Sequence, residues 1–300
     1  MRLLPESLGE PQGLGEDDDP TLSREEFIQL SGPWSTTAPR PVSGRANARS
    51  RSPGKIVLAV CAALVIGLVG VVVVQVEYRS DWSQVFAEDF DEDVPLGRFP
   101  GAGYGQRWTG YDGLDDTSGQ GLYAPSEVLS VHDGTLDYHL HTRNGQPLGA
   151  APSPVVSTEW TGQVYGKFTV RFKSDPVPGF GVAWLLWPDS NDWQEGEFDF
   201  PEADLTGTIH ANQHCVGDPE RNCLAADTGV PFSSGWHTTS IEWTPAGVVY
   251  ILDGQTVARS SESPRTSFHL VLQTETKGDG PDPAAEGHIL VDFVRIYRWR

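Results

Sequence analysis

A short stretch of alternating carboxylate and phenylalanine side chains constrains the fold more strongly than any other feature of this sequence. Its order is Glu197, Phe198, Asp199, Phe200. Successive side chains of a β-strand point to opposite faces, so the two carboxylates share one face and the two phenylalanines share the other. The stretch therefore predicts a strand that packs an apolar face on a core and turns an acidic face away from it.

Glu202 would lie on the phenylalanine face if this alternation continued. A β-bulge at Pro201 and its neighbour would add one residue to the strand and return Glu202 to the acidic face. Three close carboxylates can hold different protonation states and divide the work of an acid and a nucleophile. A solvated acidic strand without a function is the competing interpretation, and the motif alone does not decide between the two.

The chain from Trp82 onward has an all-β pattern. Short stretches rich in Val, Ile, Phe, Tyr, Trp and Thr alternate with Gly, Pro, Asp and Asn, and no long helical period occurs. This pattern predicts one antiparallel sandwich of two large sheets packed face to face, without an internal repeat or a second domain boundary. The clearest predicted strands are residues 128–131, 135–141, 166–172, 182–187, 197–200, 208–213, 238–243, 248–252, 269–273 and 288–297.

Residues 56–74 are nineteen consecutive apolar or small residues without a charge. As a helix that rises about 1.5 Å per residue, this segment spans nearly the hydrocarbon thickness of a bilayer. A cleaved signal peptide is the alternative, but its apolar core is shorter, about 7 to 15 residues, and lies near the start of a chain. We therefore predict one transmembrane helix at residues 56–76.

Five basic residues lie on the N-terminal side of this helix, between Arg40 and Lys55, whereas Arg79 on the other side is accompanied by Glu77 and Asp81. The positive-inside rule places that flank in the cytoplasm. Residues 1–55 lack a periodic apolar pattern and are predicted to be a disordered cytoplasmic tail. Residues 77–300 then form the extracellular domain of a single-pass plasma-membrane protein. The same bases could instead bind anionic lipid headgroups, although a topology signal explains them as well.

The formal net charge of the chain is −20 at pH 7, and the excess of acids belongs to the predicted exterior domain. Residues 77–300 hold 33 acidic and 14 basic side chains, whereas residues 1–55 hold eight and seven. A surface this acidic repels nucleic acids and other anionic polymers. We therefore exclude nucleic acid as a partner.

Two of the three cysteines, Cys215 and Cys223, lie eight residues apart in a polar stretch of the exterior domain. In an oxidising compartment this pair predicts a disulfide, which would stabilise the domain by roughly 2.5 kcal/mol in the chain-entropy model. A metal site with His210 and His214 is the alternative, but a second Cys-x-x-Cys pair is missing. The third, Cys61, lies in the predicted membrane helix.

Eight short blocks of the exterior domain, taken in order, resemble glycoside hydrolase family 16. The central block, from Glu197 to Glu202, is similar to the bulged Glu-x-Asp-x-x-Glu motif of laminarinase-like and several algal-galactan-cleaving members. The resemblance implies a concanavalin A-like jelly-roll sandwich, in agreement with the all-β pattern. The blocks occupy residues 86–90, 133–136, 165–173, 183–188, 197–202, 237–245, 251–254 and 291–297.

The resemblance implies a retaining, endo-acting hydrolase of a β-linked polysaccharide, either β-1,3-glucan-like or galactan-like. Carried onto this chain, it makes Glu197 the nucleophile, Glu202 the general acid and then base, and Asp199 the residue that orients Glu197. A retaining mechanism needs one ionised carboxylate at the anomeric carbon and one protonated carboxyl at the leaving oxygen, about 5 to 5.5 Å apart. No cofactor is expected for catalysis.

Four further residues are candidates for contact with the polysaccharide. Trp193 lies in a polar loop just before the motif, where an aromatic ring suits the apolar face of a sugar. Trp184 and Trp187 are three apart and point to opposite faces of one strand, and the resemblance favours Trp184 as the ring in the cleft. It also places His214 and Gln273 there, although a lone histidine is more often structural.

The resemblance further implies a structural calcium ion on the side away from the cleft. The ligands would be the carboxylate of Asp292 in the last strand and backbone carbonyls near Asp89 and Gly134, and oxygen ligands suit Ca²⁺.

Two other functions remain open on the same fold. A surface lectin or glucan sensor would need no catalytic carboxylates, whereas Glu197 and Glu202 are both present. A cell-wall transglycosylase would need both, and the choice between it and a hydrolase depends on the access of water to the acceptor site. The sequence favours an enzyme over a lectin and does not separate hydrolysis from transglycosylation.

Overall fold

The computed structural model describes residues 81–300. The predicted cytoplasmic tail at residues 1–55 and the predicted transmembrane helix at residues 56–76 lie outside the described residues. Among the helices of residues 81–300, none has the length and hydropathy needed to cross a membrane.

Within residues 81–300 the chain folds mainly into strands, with two four-residue helices, α1 (Gly101–Tyr104) and α2 (Pro125–Val128), and a 3₁₀ helix at Trp193–Glu195. In chain order the strands are β1 (Trp82–Glu88), β2 (Trp108–Gly110), β3 (Leu122–Tyr123), β4 (Leu129–His132), β5 (Thr135–Arg143), β6 (Gln146–Gly149), β7 (Pro152–Pro154), β8 (Gly166–Ser174), β9 (Phe180–Pro188), β10 (Glu197–Asp204), β11 (Thr208–Cys215), β12 (Asp218–Pro231), β13 (His237–Thr244), β14 (Gly247–Leu252), β15 (Gln255–Ser260), β16 (Phe268–Thr276) and β17 (Gly287–Trp299).

The strands form two main sheets. The larger sheet has the order β15-β14-β13-β8-β17-β5-β6-β3, and β1 and β4 pair with β17 and β5. The five-stranded sheet has the order β12-β11-β10-β9-β16, and β2 and β7 form a separate pair. All pairings are antiparallel except that of β3 with β6. Neighbours in space are often distant in sequence, as in β9 and β16, so the sheets are built by long crossovers.

One aromatic core joins the two sheets. Phe172 of β8 meets Trp184 of β9 edge to face, with 4.9 Å between ring centroids, and Phe198 of β10 lies 5.4 Å from Trp243 of β13. All four rings are buried. Each such pair contributes about 0.5–1.5 kcal/mol beyond its buried area. The predicted all-β sandwich of two packed sheets is therefore confirmed.

The opposite face of the five-stranded sheet, called the outer face below, carries the candidate site. On β9 the side chains alternate as the strand period requires: Trp184 points into the core, whereas Ala183, Leu185 and Trp187 belong to a second, smaller apolar cluster. Because residues directly opposite each other in an antiparallel pair share a face, the position of Ala183 and Leu185 also fixes which residues of β10 and β16 lie on the outer face.

Candidate active site

Strand β10 places two carboxylates on the outer face and two phenylalanines in the core, as the alternation predicts. Phe198 and Phe200 belong to the main core, whereas Asp199 lies opposite Leu185 of the outer face. Glu197 and Asp199 are both fully buried. Burying ionised carboxylates is costly unless hydrogen-bond donors and positive charges face them. The site must therefore supply such groups from neighbouring elements.

A β-bulge brings Glu202 to the same face. On β9 the partners of Asp199 and Glu202 are Leu185 and Ala183, so three steps along β10 match two steps along its neighbour. The pairing with β11 shifts at the same place. Leu185 and Ala183 share the outer face, and Glu202 therefore shares it with Asp199. The predicted bulge is confirmed, and the Glu202 side chain remains 27% exposed, unlike the other two carboxylates.

The Glu197 carboxylate is held by an indole donor from the 3₁₀ helix. Trp193 Nε1 donates to Glu197 Oε2 at 2.8 Å. The ring of Trp193 also lies 5.4 Å from the ring of His214, centroid to centroid. His214 pairs directly with Glu197 across β10 and β11. The structure therefore brings Trp193 and His214 together around the candidate nucleophile.

His214 faces two carboxylates at once. Its Nε2 atom lies 3.5 Å from Asp199 Oδ2 and 3.9 Å from Glu197 Oε2. Its other ring nitrogen, Nδ1, lies 2.6 Å from the carbonyl oxygen of Pro219. A protonated imidazole in this position would offset part of the negative charge of the two buried carboxylates.

Glu202 has different neighbours, so its environment differs from that of Glu197. Asn212 Nδ2 donates to Glu202 Oε2 at 2.5 Å, and Lys277 Nζ lies 3.9 Å from Glu202 Oε1. Two carboxyl groups in unlike surroundings on one sheet face can take the separate roles of acid and nucleophile, because their protonation equilibria are set apart.

Lys277 is a cation in this site, although it is largely enclosed. Burial alone would lower the pKa of its ammonium group, but the neighbouring carboxylates, Glu275 first and then Glu202, outweigh burial and raise the pKa above its usual range. Lys277 Nζ lies 2.5 Å from Glu275 Oε1. Lys277 could not be predicted from the sequence, because its contact with Glu202 depends on pairing between strands that are distant in sequence.

The assignment of Trp184 to the cleft is wrong. Trp184 is fully buried between the sheets and packs against Phe172, because it lies on the core side of the alternating strand β9. Trp187, three residues later, lies on the outer face instead, in the cluster that Trp193 packs against. Tyr111 and Tyr123 also belong to this cluster and Trp160 packs against it, and none of the three was singled out from the sequence.

Gln273 lies on the outer face, as expected for a residue of the cleft. It pairs with Ala183, the same residue that pairs with Glu202 on the other side of β9. Its Nε2 donates to Thr117 Oγ1 at 3.3 Å, and the side chain is buried. Gln273 therefore lies two strands from the carboxylates, and its contact with the polysaccharide stays a prediction.

The predicted disulfide is present. Cys215 and Cys223 are bonded, with 5.1 Å between their Cα atoms. They lie in the neighbouring strands β11 and β12 rather than in a loop. Both thiols are consumed by the bond, and His214 is turned toward the carboxylates. The alternative of a metal site with these cysteines therefore has no support in the geometry.

The two aspartates at the predicted calcium positions are engaged in ion pairs. Asp89 accepts a hydrogen bond from the guanidinium of Arg295, and Asp292 Oδ2 accepts one from Arg171 Nη1 at 2.5 Å. Gly134 lies in the turn between β4 and β5. The Asp292 carboxylate, the one side chain that the resemblance assigns to the ion, is therefore paired with Arg171. The ion pair of Asp89 does not bear on the backbone carbonyls expected near Asp89 and Gly134, and calcium stays a prediction of the resemblance alone.

A family model agrees with the geometry. The model described as "Glycosyl hydrolases family 16" matches residues 123–271, which include β10 and its bulge. SCLam, whose solved structure is described as a non-specific endo-beta-1,3(4)-glucanase from family GH16, superposes with a TM-score of 0.60. The match covers 74% of this chain and 93% of SCLam at 20% identity, so it shows the fold alone.

Two curated relatives match shorter parts of the chain. The beta-glucanase of Rhodothermus marinus is 28% identical over 178 residues, 47% of this chain and 58% of that protein. Crh-like protein 2 of Aspergillus fumigatus is 30% identical over 93 residues, 30% of this chain and 20% of that protein. The match therefore spans less than two thirds of either relative's length.

Proposed function

We propose, from the premise that this chain belongs to glycosyl hydrolases family 16, that it is a retaining endo-β-glucanase that cleaves internal bonds of a β-1,3- or β-1,3-1,4-linked glucan. The observation that carries the proposal is the bulge of β10, which gathers Glu197, Asp199 and Glu202 on one sheet face. The substrate class is supported by the relatives described as glucanases. A galactan is the alternative polymer.

In the first step the Glu197 carboxylate attacks the anomeric carbon while Glu202 gives its proton to the leaving glycosidic oxygen. The hydrogen bond from Trp193 and the protonated imidazole of His214 hold the buried Glu197 in place and keep it ionised. In the second step Glu202, now ionised, takes a proton from a water molecule, which then releases the sugar from Glu197. Asp199 lies beside Glu197 and orients it through the shared contact with His214.

Incubation of the full chain with a panel of polymers tests the proposal. Laminarin, mixed-linkage β-glucan and a β-galactan are offered separately, and the reducing ends formed are counted. We expect internal cleavage of at least one β-glucan, with short oligosaccharides as products. Binding without cleavage would favour a lectin, and products longer than the starting chains would favour a transglycosylase.

We also propose that residues 56–76 anchor the domain to the plasma membrane with residues 1–55 in the cytoplasm. The support is the uncharged apolar segment and the basic residues on its N-terminal side. Protease added to intact cells should digest the domain and spare the tail. Digestion of the tail alone would reverse the orientation.

A further inference from the structure

An ion pair beside Glu202 has no part in the mechanism described so far. We infer that Lys277 and Glu275 form a positioning pair that sets the protonation of Glu202 during turnover. The inference rests on the proposed function and deepens it, because it concerns how the acid of the first step becomes the base of the second. Lys277 acts through Glu202 and does not need to touch the substrate.

The geometry fixes the ammonium group between two carboxylates. Lys277 Nζ lies 2.5 Å from Glu275 Oε1 and 3.9 Å from Glu202 Oε1. Glu275 is itself held, because Thr117 donates a hydrogen bond to its other oxygen. Glu275 is 93% buried at its side chain, whereas Lys277 is 29% exposed. The pair is therefore a fixed part of the site and not a mobile surface contact.

The absence of a side chain at Gly181 leaves the space through which Lys277 reaches Glu202. Gly181 of β9 pairs with Glu275 on one side and with Asp204 on the other. A Cβ atom built on Gly181 would lie 2.7 Å from both Cγ and Cε of Lys277 and from the carbonyl oxygen of Ala203, closer than real Cβ contacts allow. The stem of Lys277 therefore crosses the strand over Gly181, in space that any larger residue would fill. The packing of Lys277 over Gly181 does not depend on charge, and it supports the same contact between Lys277 and Glu202.

Other charged and titratable groups lie around Glu202 besides Lys277. Strand β10 itself carries Glu197, Asp199 and Asp204, and β11 places His210 opposite Glu202 and His214 opposite Glu197. The imidazole of His210 is directed to Thr208 Oγ1, at 3.3 Å, and toward Asp227. The positions of β9 that pair with Glu202 and Asp204 are Ala183 and Gly181, which carry no charge.

The two members of the pair act on Glu202 with opposite signs. The Lys277 ammonium stabilises the ionised form of Glu202, which the second step needs, and the Glu275 carboxylate weakens that effect, so that Glu202 can still hold a proton for the first step. No covalent step is added: the proton passes from Glu202 to the leaving oxygen and returns to Glu202 from water.

The expected result is a pair of opposite shifts in the alkaline limb of the pH profile of kcat/KM, which reports loss of the proton from the acid. Lys277→Met should move this limb to higher pH, and Glu275→Gln should move it to lower pH, each by about one pH unit. Glutamine keeps the size of Glu275 and an oxygen that can accept from Thr117. The double variant should return the limb toward that of the unchanged protein.

Lys167→Met is the matched control. Lys167 lies on the larger sheet and makes a similar ion pair with Glu242, at 2.9 Å. The Lys167→Met variant should leave the pH profile of kcat/KM unchanged. A purely structural role for Lys277 predicts lower stability and lower kcat without opposite shifts of the alkaline limb. If the limb moves in the same direction in the two folded variants, or does not move, the inference is overturned. Absence of glucanase activity in the unchanged protein would instead refute the proposed function, so the two failures are distinct.

Discussion

The Nδ1 atom of His214 lies 2.6 Å from the carbonyl oxygen of Pro219. A carbonyl oxygen only accepts, so Nδ1 carries the hydrogen of this bond, and the neutral ring presents the lone pair of Nε2 to Asp199 and Glu197. Nε2 gains a hydrogen only when the ring becomes an imidazolium. The protonation of His214 is therefore linked to the negative charge of the carboxylates that its Nε2 atom faces.

Replacement of His214 by phenylalanine should lower kcat/KM about tenfold or more, because loss of a partner for a buried polar group costs roughly 1–3 kcal/mol. Without the imidazolium, ionised Glu197 is less favoured, and the acidic limb of the profile should move to higher pH. The measurement is the pH dependence of kcat/KM on laminarin. His141→Phe, on the larger sheet, is the control and should leave the limb in place. An unchanged limb in His214→Phe would contradict the link.

The two tryptophans Trp184 and Trp193 should behave in opposite ways. Trp184→Ala removes a ring from the core and should lower the free energy of unfolding by about 3–5 kcal/mol. Trp193→Phe keeps an aromatic ring but removes the donor to Glu197, so it should lower kcat with little change in stability. Urea unfolding and steady-state kinetics on both variants measure these effects. A Trp184→Ala variant with unchanged stability and a raised KM would instead show that Trp184 contacts the substrate in the cleft.

The strand at Glu197 shows what the sequence can and cannot predict. Local alternation was enough to predict the faces of Glu197 and Asp199, and the bulge followed from the extra residue at Pro201. The face of Trp184 could not be read in this way, because alternation separates it from Trp187 without saying which side is the core. That choice depends on pairing Leu185 with Asp199, a contact between different strands.

Long-range pairing also explains what the sequence analysis missed. Strand β12 begins with Asp218-Pro219-Glu220-Arg221, which has little β-propensity, and it forms because it pairs with β11 along its length and is bonded to it by the disulfide. The contact of Lys277 with Glu202 depends on the order β10-β9-β16 and on the space at Gly181. Neither follows from local composition.

The disulfide should stabilise the domain by constraining the unfolded chain. Replacement of Cys215 and Cys223 together by serine should lower the free energy of unfolding by roughly 2.5 kcal/mol, as expected for a closed loop of about nine residues. Urea unfolding measures the change. Mass spectrometry of the unreduced, alkylated protein should find neither cysteine modified, and full alkylation of both would contradict the bond.

Two histidines on the larger sheet should make stability depend on pH with opposite signs. A hydrogen bond to Asp137 raises the pKa of His132, whereas burial, followed by the neighbouring His141 and His288, lowers the pKa of His139. His132 therefore adds stability that is fully present below its unfolded value of about 6.5 and is lost as the pH rises through its folded pKa. The pKa of His139 is lower in the folded chain than in the unfolded chain. His139 therefore adds stability that is present above its unfolded value of about 6.5 and is lost as the pH falls through its folded pKa.

Thermal unfolding at about pH 5.5 and about pH 8 separates these two effects. His132→Gln should lose stability mainly at the lower pH, whereas His139→Gln should be relatively more stable there than at the higher pH. Equal changes at both values in either variant would show that the ring acts through packing alone.

Trapping of the covalent intermediate tests the central claim most directly. A fluorinated β-glucoside with an activated leaving group forms the glycosyl-enzyme quickly and hydrolyses slowly, so the sugar stays on the nucleophile. After digestion, peptide mass spectrometry should find one added sugar on the carboxylate of Glu197, and Glu197→Gln should show none. A label on Glu202, or steady turnover of laminarin by Glu197→Gln, would contradict the account.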